Sequence, residues 1–183
     1  GTYTVTANFT PSDTANYNSL TGAAAGTFTI GKSTPTISVT NSPVAYTGAA
    51  QAATVTPSVS GTVSGVQYNG SATVPTAAGT YAVTANFTPN DTADYSSLTA
   101  APAGNFIISK ATLTLSITNS PVTYTGAAQS ATIVATAIGV TGNVGGTPSA
   151  ILYNGSATLP INADTYAVTA SFTPTGTAKF HTD

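Results

Sequence analysis

The side chains able to do chemistry are few, and their types limit what the chain can catalyse or hold. Among 183 residues the charged groups are Lys32, Lys110 and Lys179 against Asp13, Asp91, Asp94, Asp164 and Asp183, with a single histidine, His181, and no Cys, Met or Trp. A glycoside hydrolase needs two carboxyl groups facing each other across a bond, and here they would have to come from five isolated aspartates. A calcium loop could draw on Asp91 and Asp94. Calcium takes about six to eight oxygens, usually from several carboxylates, and Asn16 replaces the second acid in the equivalent segment Asp13-Thr14-Ala15-Asn16-Tyr17. Both segments read instead as tight corners, the Asp capping the turn and the Tyr packed beneath it. His181 has no second histidine, cysteine or acidic cluster near it in sequence, so a zinc site or a nucleophile–histidine pair lacks partners. It reads as an exposed tail residue. No catalytic, cofactor-binding or metal residue is expected, and the protein is expected not to be an enzyme.

Three further chemistries can be named. Lys32 and Lys110 recur at equivalent positions and Asn86 and Asn105 fall in strands, the ingredients of a Lys–Asn isopeptide cross-link. Such a link forms beside a buried acid, and with glutamate missing the lysines read as guards of a strand start against wrong pairing. Tyr68 and Tyr153 beside Asn-Gly turns could stack on a sugar, or face inward as core. Asn8, Asn69, Asn86, Asn90 and Asn154 match glycosylation acceptors, a pattern that chance produces readily in a chain this rich in Thr and Asn.

Composition excludes more. Charged residues make up 4% of the chain and the formal net charge is −2. A nucleic-acid binder releases counterions with clustered Lys and Arg, and no such cluster exists. No basic patch attracts anionic lipid, and no stretch reaches the roughly 20 apolar residues that span a bilayer. Apolar residues are nonetheless 41% of the total and regularly spaced. With Thr at about a fifth, this describes an ordered β-protein paved with hydroxyls, a surface of the secreted or cell-surface kind.

The elements that place these residues recur. Gly79-Thr80-Tyr81-Ala82-Val83-Thr84-Ala85-Asn86-Phe87-Thr88-Pro89 restates Gly1 to Pro11 at an offset of 78 residues, and Thr165 to Pro174 restates it again 85 further on. A period of this size fits small β-domains in tandem. Three units follow: 1–31, the C-terminal part of a first repeat; 32–109, a complete second; and 110–183, a third with seven extra residues and without its last strand. In the second, Ile37 and Val39 alternate with Thr36, Ser38 and Thr40 as a half-buried strand. A strand is expected around Gln51 to Thr56; Gly61 and Gly65 are expected to interrupt the segment before Val66 to Tyr68. Asn69-Gly70 signals a hairpin, with Ser71 to Val74 returning. Tyr81 to Phe87 is the strongest strand, and Phe106 and Ile108 mark the closing one. In the third, Leu113, Leu115 and Ile117 point inward. About seven short strands per unit predict a sandwich. The short links Ile30-Gly31-Lys32-Ser33-Thr34 and Ile108-Ser109-Lys110-Ala111-Thr112 predict semi-rigid stacking end to end. The extra residues, within Thr136 to Pro148, predict a longer loop or hairpin at one end, with a recognition loop as the alternative.

Three motifs carry a family resemblance. Val122-Thr123-Tyr124-Thr125-Gly126-Ala127-Ala128-Gln129, then Tyr153-Asn154-Gly155-Ser156-Ala157-Thr158-Leu159-Pro160, then the Thr-Tyr-x-Val-Thr-Ala-x-Phe-Thr-Pro strand resemble bacterial immunoglobulin-like repeats of the MBG type, over essentially the whole chain. The departures are the insertion and the ending Gly176 to Asp183, where the second copy has Asp91 to Leu98. The resemblance implies all-β, immunoglobulin-like sandwiches in tandem, found in large bacterial surface proteins, adhesins and extracellular fibres, with no cofactor. The expected role is a structural stalk or filament module. The alternatives are an adhesive module that binds a glycan or protein through loops, or a subunit that completes its neighbour by strand exchange. In that case Gly26-Thr27-Phe28-Thr29-Ile30 of one chain would fill the gap in the next. The overlap from Gly79 to Leu98, in second-copy numbering, favours a window cut from a longer array. Partners are then neighbouring repeats or identical subunits, with no nucleic acid and no membrane insertion.

Overall fold

The computed structural model describes residues 1–181, and those residues contain strands, turns and no helix. The chain starts with a hairpin of β1 (Thr2–Phe9) and β2 (Leu20–Thr29). The second repeat holds β3 (Ile37–Val39), β4 (Val44–Ala45), β5 (Val55–Pro57), β6 (Gly61–Tyr68), β7 (Gly79–Pro89) and β8 (Leu98–Ser109). The third holds β9 (Leu113–Ile117), β10 (Ile133–Ala137), β11 (Gly146–Tyr153) and β12 (Val168–Pro174).

In the second repeat a four-stranded sheet runs β4-β8-β7-β6, with β4 parallel to β8 and the other pairs antiparallel, and a two-stranded sheet pairs β3 with β5. The core lies between them. β7 is central because its sequence alternates without a break: Val83, Ala85, Phe87 and Pro89 are buried while Ala82 and Thr88 face out. From β8, Ala103, Phe106 and Ile108 fill the same core, and Ile37 closes it from β3. Burying each of Phe87 and Phe106 contributes about 1.5–3 kcal/mol.

Several expected elements change form. Gly61 and Gly65 do not interrupt β6. A Cβ on Gly61 would lie 2.6 Å from the Phe87 ring and press on the Thr88 carbonyl, so glycine lets β6 cross close over β7. Gly65, at φ 57°, forms the bulge between Ser64 and Gln67; extra residues of this kind bend a strand without ending it. The strand expected from Gln51 begins only at Val55, since the Asn41 carboxamide substitutes for a neighbouring backbone: its Nδ2 donates to Ala52 O at 2.9 Å and its Oδ1 accepts from Thr54 N at 2.7 Å. Ser71 to Val74 form no returning strand. The Asn69-Gly70 turn closes as expected, Tyr68 N donating to Ser71 O at 2.7 Å with both turn residues at positive φ. Ser71 Oγ then accepts from Thr73 N at 3.1 Å and turns the chain away, and β6 pairs with β7 instead. The second repeat therefore has six strands rather than seven.

The β1–β2 hairpin reproduces the β7–β8 register pair for pair, from Thr2↔Thr29 matching Thr80↔Ile107 to Phe9↔Leu20 matching Phe87↔Leu98, both bulges included. Its side chains, Phe28 among them, are exposed apart from the half-buried Ala23, and Ile30 just after β2 is exposed as well. In the third repeat Leu113 and Leu115 are half-buried, but Ile117, expected inward, is 38% exposed. The cause is the lack of a strand equivalent to β8 among the described residues. Where β8 lies against Val44 in the second repeat, the third has a groove of about 340 Å³ walled by Ile117, Val122, Tyr124, Tyr153 and Val168.

Candidate functional site

The reactive residues are dispersed, and each has a local structural task. Asp13 Oδ1 accepts from Ala15 N and Asn16 N, both at 3.1 Å, and its Oδ2 accepts from Asn16 Nδ2 at 2.8 Å. The Asn16 side chain, followed by its backbone N–H, holds the Asp13 carboxyl below the ordinary aspartate value of 3.8. Asp91 Oδ1 makes the same two backbone bonds, to Ala93 N at 3.0 Å and Asp94 N at 3.1 Å. These are turn caps, as expected. The tyrosine expected beneath each corner is not beneath it in the first copy, where Tyr17 is 67% exposed. No cluster of three or more His, Cys, Asp or Glu exists among the described residues, and Asp183 lies outside them.

Tyr68 and Tyr153 are each 5% exposed, and their hydroxyl oxygens accept from Ala53 N at 2.9 Å and Ala131 N at 2.8 Å. Their rings belong to the interior and are not platforms for a sugar. Lys32 Nζ donates to Thr92 O, while Asn86 Oδ1 is occupied by Ala100 N at 2.8 Å and Asn105 faces outward on β8. Neither asparagine is set against Lys32. His181 is exposed, though its backbone N–H donates to Ala111 O at 3.0 Å.

What the structure does bring together lies at the junction of the second and third repeats. Each repeat begins with a short segment that pairs in parallel with the corner near its own end. Ser33 N donates to Asp94 O at 2.8 Å and Ser96 N to Ser33 O at 2.9 Å; Ala111 N donates to Lys179 O at 3.0 Å and His181 N returns the bond. Phe180 therefore occupies the place of Tyr95, and the ending that looked divergent follows the repeat as far as His181. Phe180 is 7% exposed and stands edge-on to Tyr46 of the second repeat, centroids 5.6 Å apart and planes at 88°. Edge-to-face pairs of this geometry are favourable because the positive ring edge meets the negative face. Lys179 Nζ lies 5.9 Å from the same Tyr46 ring, at the outer range of a cation–π contact.

The insertion reaches the same place. Leu115↔Ala135 matches Ile37↔Pro57, and Thr175 N→Gly145 O matches Asn90 N→Ser60 O, so Ser58 and Val59 of the second copy correspond to residues 136–144 of the third. Ala137 and Val144 are buried, Val140 packs against the core, and Gly139 at φ 80° approaches so closely that a Cβ there would lie 3.1 Å from Thr47 Cγ2. The added residues face the preceding repeat rather than a free end. Nothing in their composition announced this; the insertion begins inside β10 (Ile133–Ala137), and its contact with the preceding repeat is visible only in the fold. The buried hydrophobic side chains of both repeats, Tyr153 excepted, form one continuous apolar cluster, from Ile37 and Tyr46 through Phe106 to Ala135 and Phe180.

An all-β chain whose units share register, corners and turns, 78 residues apart before the insertion and 85 after it, is a tandem-repeat protein. The MBG domain family matches it twice, at residues 35–112 and 111–178, and the chain belongs to that family. No curated protein and no solved structure matches the chain.

Proposed function

We propose that this chain is a structural module of a bacterial stalk or fibre outside the cell, that its tandem MBG repeats serve reach and stiffness, and that it catalyses nothing. The observation that carries this reading is the apolar cluster that runs unbroken through the junction of the second and third repeats. Flexibly tethered domains have polar, loosely packed interfaces; a shared core with a short link resists bending. A hydrophilic surface with 4% charge lets like modules line up without mutual repulsion. Its partners in this reading are neighbouring repeats, and burial of Tyr68 and Tyr153 weakens the glycan-binding alternative. Small-angle X-ray scattering tests the proposal. A rod-like distance distribution, with residues 32–181 fitted by one rigid arrangement, supports it, and a distribution that requires independent motion of the two repeats removes it.

The groove in the third repeat favours a second reading, strand exchange between copies. Phe28 stands 58% exposed in the same register as Phe106, and Ile30, just after β2, stands 57% exposed 78 positions before Ile108, so this segment of another copy has the side chains to fill it. Concentration-dependent association in sedimentation velocity, abolished by Phe28→Asp, is the expected result of this reading, and a monomer at all concentrations rejects it.

A further inference from the structure

The two halves of the Tyr46–Phe180 joint recur along the chain. The receiving half is a turn. Tyr46 leads into Gly48, at φ 82°, where a Cβ would lie 3.7 Å from the Tyr46 hydroxyl; Ala49 N donates to Thr47 Oγ1 at 3.4 Å, and Gln51 Nε2 donates to Ala45 O at 2.9 Å. One repeat on, Gly126 is at φ 79° with the corresponding distance to the Tyr124 hydroxyl at 3.8 Å, Ala127 N donates to Thr125 Oγ1 at 3.4 Å, and Gln129 Nε2 donates to Thr123 O at 2.9 Å. The turns share these bonds, the third copy adding Gln129 Nε2 to Thr125 Oγ1 at 3.2 Å, and they differ in the cover over the ring: Tyr46 is 7% exposed and Tyr124 60%.

The inserting half is the corner. In both complete instances its aromatic residue follows a backbone pairing to the start of its own repeat, Tyr95 through Ser33 and Phe180 through Ala111. That pairing fixes the aromatic at the end of the repeat facing its predecessor. One end of a repeat thus carries a tyrosine turn and the other an aromatic corner, and the contact they make is already present once in the chain.

We infer that the Tyr124-Thr125-Gly126 turn is a docking surface for a following repeat of the same family in the same chain. The aromatic side chain at that repeat's Phe180 position covers Tyr124 edge-on, as Phe180 covers Tyr46. The inference rests on the stalk reading and deepens it: the array has a direction, and each joint is closed by one tyrosine and one aromatic from consecutive repeats. Continuity with the existing joint is what selects this occupant.

The test is tyrosine nitration with tetranitromethane, quantified by peptide mass spectrometry on three folded chains. The first is the 183-residue chain. The second carries a copy of residues 99–112 after Asp183, which supplies only the closing strand. The third carries residues 99–181 there, which supplies the strand and a further repeat. Tyr46 is expected to stay poorly reactive in all three, and Tyr124 to remain reactive in the first two and fall to the level of Tyr46 in the third. Phe180→Ala in the first chain is expected to raise nitration of Tyr46 and leave that of Tyr68 unchanged. Protection of Tyr124 by the closing strand alone, reactivity of Tyr124 in the longest chain, or indifference of Tyr46 to Phe180→Ala each overturns the inference. Scattering from the same chains separates the two readings. A rod that lengthens while Tyr124 stays reactive rejects the joint alone, and a covered Tyr124 in a chain that bends freely at the junctions rejects the stalk.

Discussion

Ala150 and Gly65 occupy the same bulge in two copies, and the pair shows how single side chains tune the repeat. Both are in the left-handed region, at φ 48° and 57°, which costs a non-glycine residue about 1–2 kcal/mol. A Cβ on Gly65 would lie 2.8 Å from Asn86 Nδ2, whereas the third copy has the shorter Ser171 where Asn86 stands. The alanine is tolerated there because its neighbour is small. Ala150→Gly is expected to stabilise the third repeat by about 0.5–1 kcal/mol once the extra unfolded-chain entropy of glycine is subtracted. Gly65→Ala is expected to destabilise the second by about 1–3 kcal/mol, through strain and the Asn86 contact. Denaturant midpoints at constant slope measure both. Asp13 gives a pH prediction at the same scale. Its folded pKa is lowered, so its contribution is present above the unfolded value and is lost as pH falls through the folded one. Asn16 is the leading cause. The carboxyl carbon of Asp13 should titrate in NMR with a midpoint below 3.8, and Asn16→Ala should move that midpoint upward; an unchanged midpoint contradicts the assigned cause.

At the scale of elements, β7 and β8 were legible because their patterns are unambiguous: Val83, Ala85 and Phe87 alternate with polar residues, and Phe106 and Ile108 keep the same spacing. β6 was not, because glycine reads as a breaker in sequence and acts here as a close-approach residue, a distinction set by where Phe87 of the next strand lies. Residues 52–54 escaped for a different reason, since the Asn41 side chain stands in for a backbone ladder. The junction was legible only in its halves. Tyr46 and Phe180 are 134 positions apart, and no local pattern pairs them. The insertion was seen as extra length with no indication of what it touches. Its fit to Thr47 yields a prediction. Replacing residues 136–144 with a Ser-Val dipeptide, the second copy's own solution, should leave the third repeat folded, because β3 and β5 pair without those residues. The joint should loosen. Distances between spin labels on β6 and β11, read by pulsed electron resonance, should broaden relative to the parent chain; an unchanged distribution would assign the insertion no part in holding the junction.

For the molecule as a whole, the question is whether repeats unfold singly or together. A repeat array gains stability from each unit and from each interface between neighbours. The second repeat has Val83, Ala85, Phe87, Phe106 and Ile108 almost fully buried, while the third leaves Val122, Tyr124, Leu159 and Ile161 from 43% to 60% exposed. Its own core is thin. The shared cluster must therefore contribute a large part of the third repeat's stability within this chain, and Phe180 is its link to Tyr46. Removing that ring forfeits its buried area and an aromatic pair contributing about 0.5–1.5 kcal/mol beyond area. Phe180→Ala is thus expected to act unequally across the chain. In hydrogen exchange, amides of β9 to β12 should lose protection first and by the larger factor, while those at the centre of β7 and β8 keep most of theirs, since local openings report the stability of the unit that opens. In the parent chain the two repeats should exchange as one unit under destabilising conditions. Equal loss of protection in both repeats would mean that the second leans on the third as much as the reverse, and loss confined to Ala111 and Lys179 would mean that the joint closes without holding either repeat.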